Sequence, residues 1–456
     1  MNTRILLFSP LVFLLMASSF APSFRRASRA NHRFLQCPPP GTPPEDPRWV
    51  NCPAEGELQP KQSHDGSSHQ DPGLIFTPDI GDTQIDIPPP EFQTLSQGGY
   101  LVPDVGYDDA AGRVGGFSVA LAESATMTDH FDEADWTISS GFSGDYLGAS
   151  LVEVGDSGVS VGAPGYDMVV IIDDVVSGDY DVDLDGDSFI FGDTGTWFGA
   201  VQTVAGDLNA ISAPATDDGG TVFLVSVPDA GSTMVDDAMV SSITGNGDGG
   251  LFGYRSVAGD FNGDGEDDIA ISDPNNDAVY LFFGDLADLG TVSTADADAT
   301  LTGAAGSAAG IDLDMLLDAD GAVTHLLVGA PGDNTAYVVD VDAAADGGAL
   351  ADIAVAITGD DGAWFGLSVS AFGSDKILVG APGESTLYAF DRSDSDQTSA
   401  DTLASVSDEA GFTQMGLRVS AFDMDGDEYA DVAVASVSDD GETTRWTTFQ
   451  SGVMPE

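Results

Sequence analysis

Three observations predict an all-β chain folded as a β-propeller of six four-stranded blades, with material for a seventh, behind a disordered N-terminal linker. A glycine-anchored unit recurs at Gly148, Gly199, Gly253, Gly310, Gly366 and Gly416, 50 to 57 residues apart. Each unit holds short runs rich in Val, Ile, Ala and Thr, separated by Gly, Asp, Asn and Pro, which is the pattern of strands and turns. Four such runs in roughly 50 residues make one blade of a propeller, which limits exposed sheet edges by radial repetition. A β-solenoid would need shorter repeats with fewer strands per turn.

Two segments precede the repeats. Residues 1–21 carry Arg4, an apolar run from Ile5 to Met16, then Ala17, Ser18, Ser19 and Ala21, the layout of a secretory signal. Arg25-Arg26 follow the apolar run, which argues against a twin-arginine signal, and Phe34-Leu35-Gln36-Cys37 lacks the small residue a lipoprotein anchor requires. Residues 22–99 are rich in Pro, Ser, Gln and Gly, include Pro38-Pro39-Pro40 and Pro88-Pro89-Pro90, and show no sustained apolar periodicity, so they are expected to form a linker. Cys37 and Cys52, the two cysteines, flank a Pro-rich loop; they are placed to pair in an oxidising compartment or to remain as thiols. No other apolar run approaches the ~20 residues of a membrane span. The expected location is outside the cell or at its surface, with no span once the signal is removed.

Residues 100–456 form the expected propeller. After each anchor comes an alternating run such as Leu367 to Phe372, then a second run such as Ile377 to Pro382, whose Pro ends the strand and starts a turn. A third run follows, as in Ala278 to Phe283, and a fourth stands just before the next anchor, as in Met239 to Thr244 and Ile353 to Thr358. The last unit stops after its third run, Trp446 to Phe449, while Trp136 to Ser139 stands alone before the first anchor. Pairing these two would close a ring of six. Tyr100 to Val105 and Gly115 to Val119 are material for a seventh blade.

The aromatic-Gly opening (Trp197-Phe198-Gly199, Leu251-Phe252-Gly253, Trp364-Phe365-Gly366), the Asp-x-Asn-x-Asp-Gly loop at Asp260 and the Gly-Ala-Pro endings at Pro164, Pro331 and Pro382 resemble the FG-GAP repeats of integrin α-chain N-terminal propellers, of the type found in exported bacterial proteins. The resemblance runs from near Gly115 to Phe449. It departs from the family in the last unit, where Val434-Ala435-Ser436-Val437 replaces Gly-Ala-Pro, and in lacking an evident seventh blade.

Asp260, Asn262, Asp264, Glu266 and Asp268 fall at every second position around Gly263 and Gly265, and Asp423, Asp425, Asp427, Tyr429 and Asp431 do so around Gly426. Calcium takes six to eight oxygens, and a short loop of alternate inward side chains with one main-chain carbonyl supplies them. Glu266 and Tyr429 are expected to ligate through that carbonyl. Both loops start seven residues after their anchor Gly, and the resemblance implies calcium at this place. Elsewhere the loop is too short, as between Phe372 and Ile377, or lacks its later acids, as after Asp318 and Asp320. The alternating run Asp179 to Asp187 lies between the third and fourth strands, where a calcium site and a solvated acidic loop remain alternatives.

The formal charge is −63, from 76 acidic and 13 basic residues. Nucleic acid and anionic membranes are thereby excluded as partners, since both require Lys and Arg; divalent cations and a saline habitat fit. Of five histidines, only His130 and His325 lie in the repeats, and no nucleophile-base order or phosphate loop appears, so no catalytic residue is assigned. The leading expectation is a calcium-binding module presenting its loops to an extracellular protein or glycan, with adhesion implied by the resemblance. A cell-surface hydrolase using carboxylates at the propeller channel is the alternative, and calcium-bridged self-association in a structural surface layer is a third reading.

Overall fold

A computed structural model describes residues 93–94, 100–104, 113–117, 136–140 and 444–449, and residues 145–438 except 156–157, 174, 176–177, 228–230, 248–249, 408–411 and 423–429. The segment expected to be a signal, most of that expected to be a linker, both cysteines and the loop from Asp423 to Tyr429 lie outside the described residues. The remainder is all-β, in seven sheets taken here as blades one to seven.

Blade four shows the pattern. Ser256–Gly259, Asp268–Asp273, Ala278–Phe282 and Ala299–Thr302 pair antiparallel in that order from the inside out. The first strands of successive blades lie side by side, from Gln93–Thr94 through Leu151–Val154, Gln202–Ala205, Ser256–Gly259, Leu313–Leu317 and Ser368–Phe372 to Val419–Phe422. That radial order is a β-propeller.

The expected closure is corrected. Trp136–Ser139 does not pair with Thr444–Phe449; it pairs with Arg113–Phe117 and so is the fourth strand of blade one, whose inner strands are Gln93–Thr94 and Tyr100–Asp104. The material read as a seventh blade is thus a blade with its own outer strand, and its innermost strand lies within residues 22–99, assigned from composition to the linker. Blade seven has Val419–Phe422, Asp431–Ser438 and Thr444–Phe449, with Phe412–Thr413 continuing the inner edge.

The core is a set of layers between blades. Phe198, Phe252 and Phe365 of the anchors are fully buried. Phe252 packs on Val222, Leu224 and Ile243 of blade three and on Ile269 and Ile271 of blade four; Phe365 does the same between blades five and six. Each such ring contributes about 1.5–3 kcal/mol through burial, and it joins two blades that share no backbone ladder there.

The glycines of the repeat have one physical reason. A Cβ at Gly162, Gly329 or Gly380 would stand on the carbonyl oxygen of the next blade's anchor, Gly199, Gly366 or Gly416. The ending glycine of one blade and the anchor glycine of the next therefore specify each other's close approach. The anchors themselves have φ between 86° and 93°.

The outer rim carries a feature that composition did not suggest. A short segment from each of blades two to six runs back as a parallel strand on the outer edge of the preceding blade: Gly178–Asp181 on Trp136–Ser139, Gly231–Met234 on Ser188–Phe191, Thr291–Ser293 on Met239–Thr244, Gly348–Ala349 on Ala299–Thr302, and Gln397–Thr398 on Val355–Thr358. Covering each edge in this way removes its unpaired N–H and C=O groups. Two of these straps end in a capping box, Ser293 with Asp296 and Thr398 with Asp401, before the chain turns into its own fourth strand.

Candidate functional site

The blade-four loop is held by strands in register: Gly259 faces Asp268, so the chain leaves the first strand at Asp260 and returns at Asp268. Gly263 and Gly265 have φ of 77° and 88°, which a side chain would strain. Asp260 turns inward, its Oδ1 accepting from the Gly263 N–H at 2.6 Å and its Oδ2 from the Gly265 N–H at 2.9 Å. Asn262 Oδ1 accepts from the Asp264 N–H, and Asp264 Oδ1 from the Glu266 N–H, each at 2.9 Å. Asn262 Nδ2 donates to Asp264 Oδ2 at 3.0 Å. Asp268 is fully buried and accepts from the N–H groups of Phe261 and Gly284.

Burial pushes the Asp268 carboxyl up, and the nearby Asp264 charge adds to the rise. A cation beside Asp268 would oppose both effects. The donor set is oxygen only, and Asn262, Asp264 and Glu266 are all exposed to solvent. Among the described residues no three His, Cys, Asp or Glu side chains converge as a finished metal cage. The Asp260 and Asp264 carboxylates instead accept from the loop's own N–H groups and Asp268 from Phe261 and Gly284; Asp260, Asn262, Asp264 and Asp268 are the residues whose oxygens would hold an ion.

Of the second predicted loop, residues 423–429 lie outside the described residues, and Asp431 is fully buried. Its strand pairing, Phe422 with Asp431, matches Gly259 with Asp268 in blade four. Asp318 Oδ1 closes a tight turn by accepting from the N–H groups of Asp320 and Ala322. In the Asp179 to Asp187 run, Asp179 accepts from Thr137 of blade one, Asp185 from the Asp181 N–H and Asp187 from the Asp173 N–H. The run serves the outer strap and the turn after it.

A second polar centre, not assigned from sequence, lies on the axis. Asp312, fully buried in blade five, accepts from Arg255 Nε of blade four at 3.1 Å, from Arg418 Nη1 of blade seven, and from the Val369 N–H of blade six at 2.8 Å. Burial pushes Asp312 up to about 7, against the opposing pull of Arg255. Burial also lowers Arg418, to about 9. Beside this cluster Asp314 accepts from the Ala371 N–H and from Ser370 Oγ, and burial raises its pKa too. A cavity of 480 Å³, lined by the first strands of blades two to five, includes Glu153, Gln202, Thr203, Arg255 and Asp314. The sequence signal was present: Arg255 and Arg418 each stand two residues after an anchor Gly, in a chain with few basic residues.

A third set, also missed, latches neighbouring blades. The residue after the Pro turns at Pro164, Pro274, Pro331 and Pro382 has left-handed φ, and its side chain accepts from the next anchor's backbone: Asp167 from Gly195 and Trp197, Asp277 from Gly306 and Ala308, Asn334 from Trp364, and Ser385 from Gln414. The recurring Pro-x-x-[Asp/Asn/Ser] was its signal.

Comparison with known proteins agrees with this unit. Residues 252–294 match the family model of the FG-GAP repeat, so blade four is such a repeat. No curated protein matches the chain. Among solved structures, selenomethionine-substituted virginiamycin B lyase from Staphylococcus aureus is similar at 8% identity, covering 65% of this chain and 82% of that one with a TM-score of 0.40. Hsv2 from Kluyvelomyces marxianus is similar at 11% identity, covering 80% and 97%, with a TM-score of 0.44. The propeller assignment rests on the sheets themselves.

Proposed function

We propose that this chain is an exported, calcium-binding β-propeller that acts as a binding or adhesion module for a protein or glycan, outside the cell or at its surface. The blade-four loop carries the proposal: Asp260, Asn262, Asp264 and Asp268 supply oxygens around a turn made by Gly263 and Gly265, in a chain of net charge −63. Calcium there would neutralise carboxylates and tie the inner two strands of the blade together. A rigid ring with variable loops is suited to recognition. Calorimetric titration of calcium into chelator-stripped protein should show saturable binding, with one equivalent lost in Asp264→Ala. Equal heats in the variant and the parent would contradict the assignment.

One observation favours a second reading, a surface hydrolase with its site at the channel. Asp312 and Asp314 are both raised by burial next to a polar cavity, and perturbed carboxyls in a cavity are candidates for acid-base work. Turnover of chromogenic glycosides that is lost in Asp314→Asn would support it; absence of turnover across the panel would oppose it.

A further inference from the structure

Tyr146 and Trp197 occupy the same place in blades two and three, two residues before the anchor glycines. Their rings stack, with centroids 6.3 Å apart and planes 23° from parallel. Both are half-buried, unlike the anchor residues that follow them, Leu147 and Phe198, which are fully buried. Both hold left-handed backbone, with φ of 54° and 62°, a conformation that favours Gly or Asn over a bulky ring. The rings lie on Ala149 and Ala200, small residues that also line the axial cavity. The stacked pair therefore adjoins, through Ala149 and Ala200, a cavity whose wall carries Glu153, Gln202, Thr203, Arg255 and Asp314.

We propose that the Tyr146–Trp197 pair and the axial cavity it adjoins form a binding site for a neutral glycan. A pyranose ring has an apolar C–H face that stacks on an aromatic ring, and hydroxyls that donate to carboxylates and accept from amide and guanidinium groups. Both halves of that chemistry are present. With a formal charge of −63, the protein repels nucleotides and acidic polysaccharides at long range, whereas a neutral sugar enters without electrostatic penalty. A volume of 480 Å³ is within the usual range for small-ligand sites. In each blade the anchor precedes the first strand, and in blade four the Asp260 loop follows it, so the ring pair and the loop belong to opposite ends of the first strands. Sugar binding would then leave the calcium loop untouched.

This inference rests on the reading of the chain as a binding module and narrows its ligand. The test follows tryptophan emission of the full chain, with calcium, on titration with maltohexaose, cellohexaose, laminarihexaose and chitohexaose. At least one should give a saturable shift at millimolar concentration. Affinity should fall about tenfold in Trp197→Gly, which loses the ring and keeps the left-handed backbone, and by less in Trp197→Phe. If Trp197→Gly does not fold, protection of Trp197 in the parent from oxidation by N-bromosuccinimide is measured instead, and the bound sugar should protect it. No response to any of the four, unchanged affinity in Trp197→Gly, or no protection overturns the proposal. Calcium-dependent melting of the same sample tests the calcium reading separately. A sample that calcium stabilises but no sugar shifts would overturn the glycan site alone.

Discussion

Blades four and six share one frame and differ in one loop. Each buries an anchor Phe against the preceding blade, and each first strand pairs with its second in the same way. Between those strands blade four has Asp260 to Asp267, whereas blade six turns within residues 373–375. The blade thus stands without the acidic loop. What recurs in most blades is the contact between neighbours: the buried anchor, the facing glycines, the latch after the Pro turn and the outer strap. The acidic loop is an addition to that frame.

The largest effect should come from the frame's axial centre. Asp312→Ala leaves Arg255 and Arg418 buried without their shared carboxylate, and urea unfolding should show a loss of about 3–5 kcal/mol. The same group has a pH signature. Its folded pKa, about 7, lies above the ordinary 3.8, so its contribution is fully present below pH ~4 and is lost as pH rises toward ~7. Relative to the parent, Asp312→Asn should remove that part of the slope across this window. Gly380→Ala should cost about 1–3 kcal/mol by driving a Cβ into the Gly416 carbonyl. Asp167→Ala, which removes the acceptor of two half-buried N–H groups of the next blade, should cost about 1–2 kcal/mol. Smallest of all, Asp264→Ala should leave calcium-free stability within about 0.5 kcal/mol, because its side chain is exposed. Grafting residues 260–268 in place of 373–375 should add one calcium per chain by calorimetry; no added equivalent would mean that the loop needs more of blade four than its strand register.

Much of this frame was legible in the sequence, because its parts are local. The anchors, the four strands per unit and the Pro turns each lie in a few consecutive residues, and period-two alternation marks which face is buried. The contents of the acidic loop were legible for the same reason. The closure was not: Trp136–Ser139 looks like a spare strand until Arg113–Phe117 is seen beside it, and no local signal distinguishes that partner from Thr444–Phe449. The outer straps were hidden because two to four residues suffice to make one, too few for any periodicity. The axial cluster joins residues more than a hundred positions apart, Asp312 and Arg418, and only their shared offset from an anchor hinted at it.

The central claim is that the acidic loop is a calcium site on a frame that folds without it. The most direct measurement is thermal melting of residues 93–456 at fixed high ionic strength with calcium, with magnesium and with chelator, for the parent and for Asp264→Ala/Asp427→Ala. The account predicts a cooperative transition in chelator, a rise with calcium that magnesium does not match, and loss of that rise in the double variant. Equal melting in calcium and magnesium, or an undiminished calcium rise in the double variant, would contradict it.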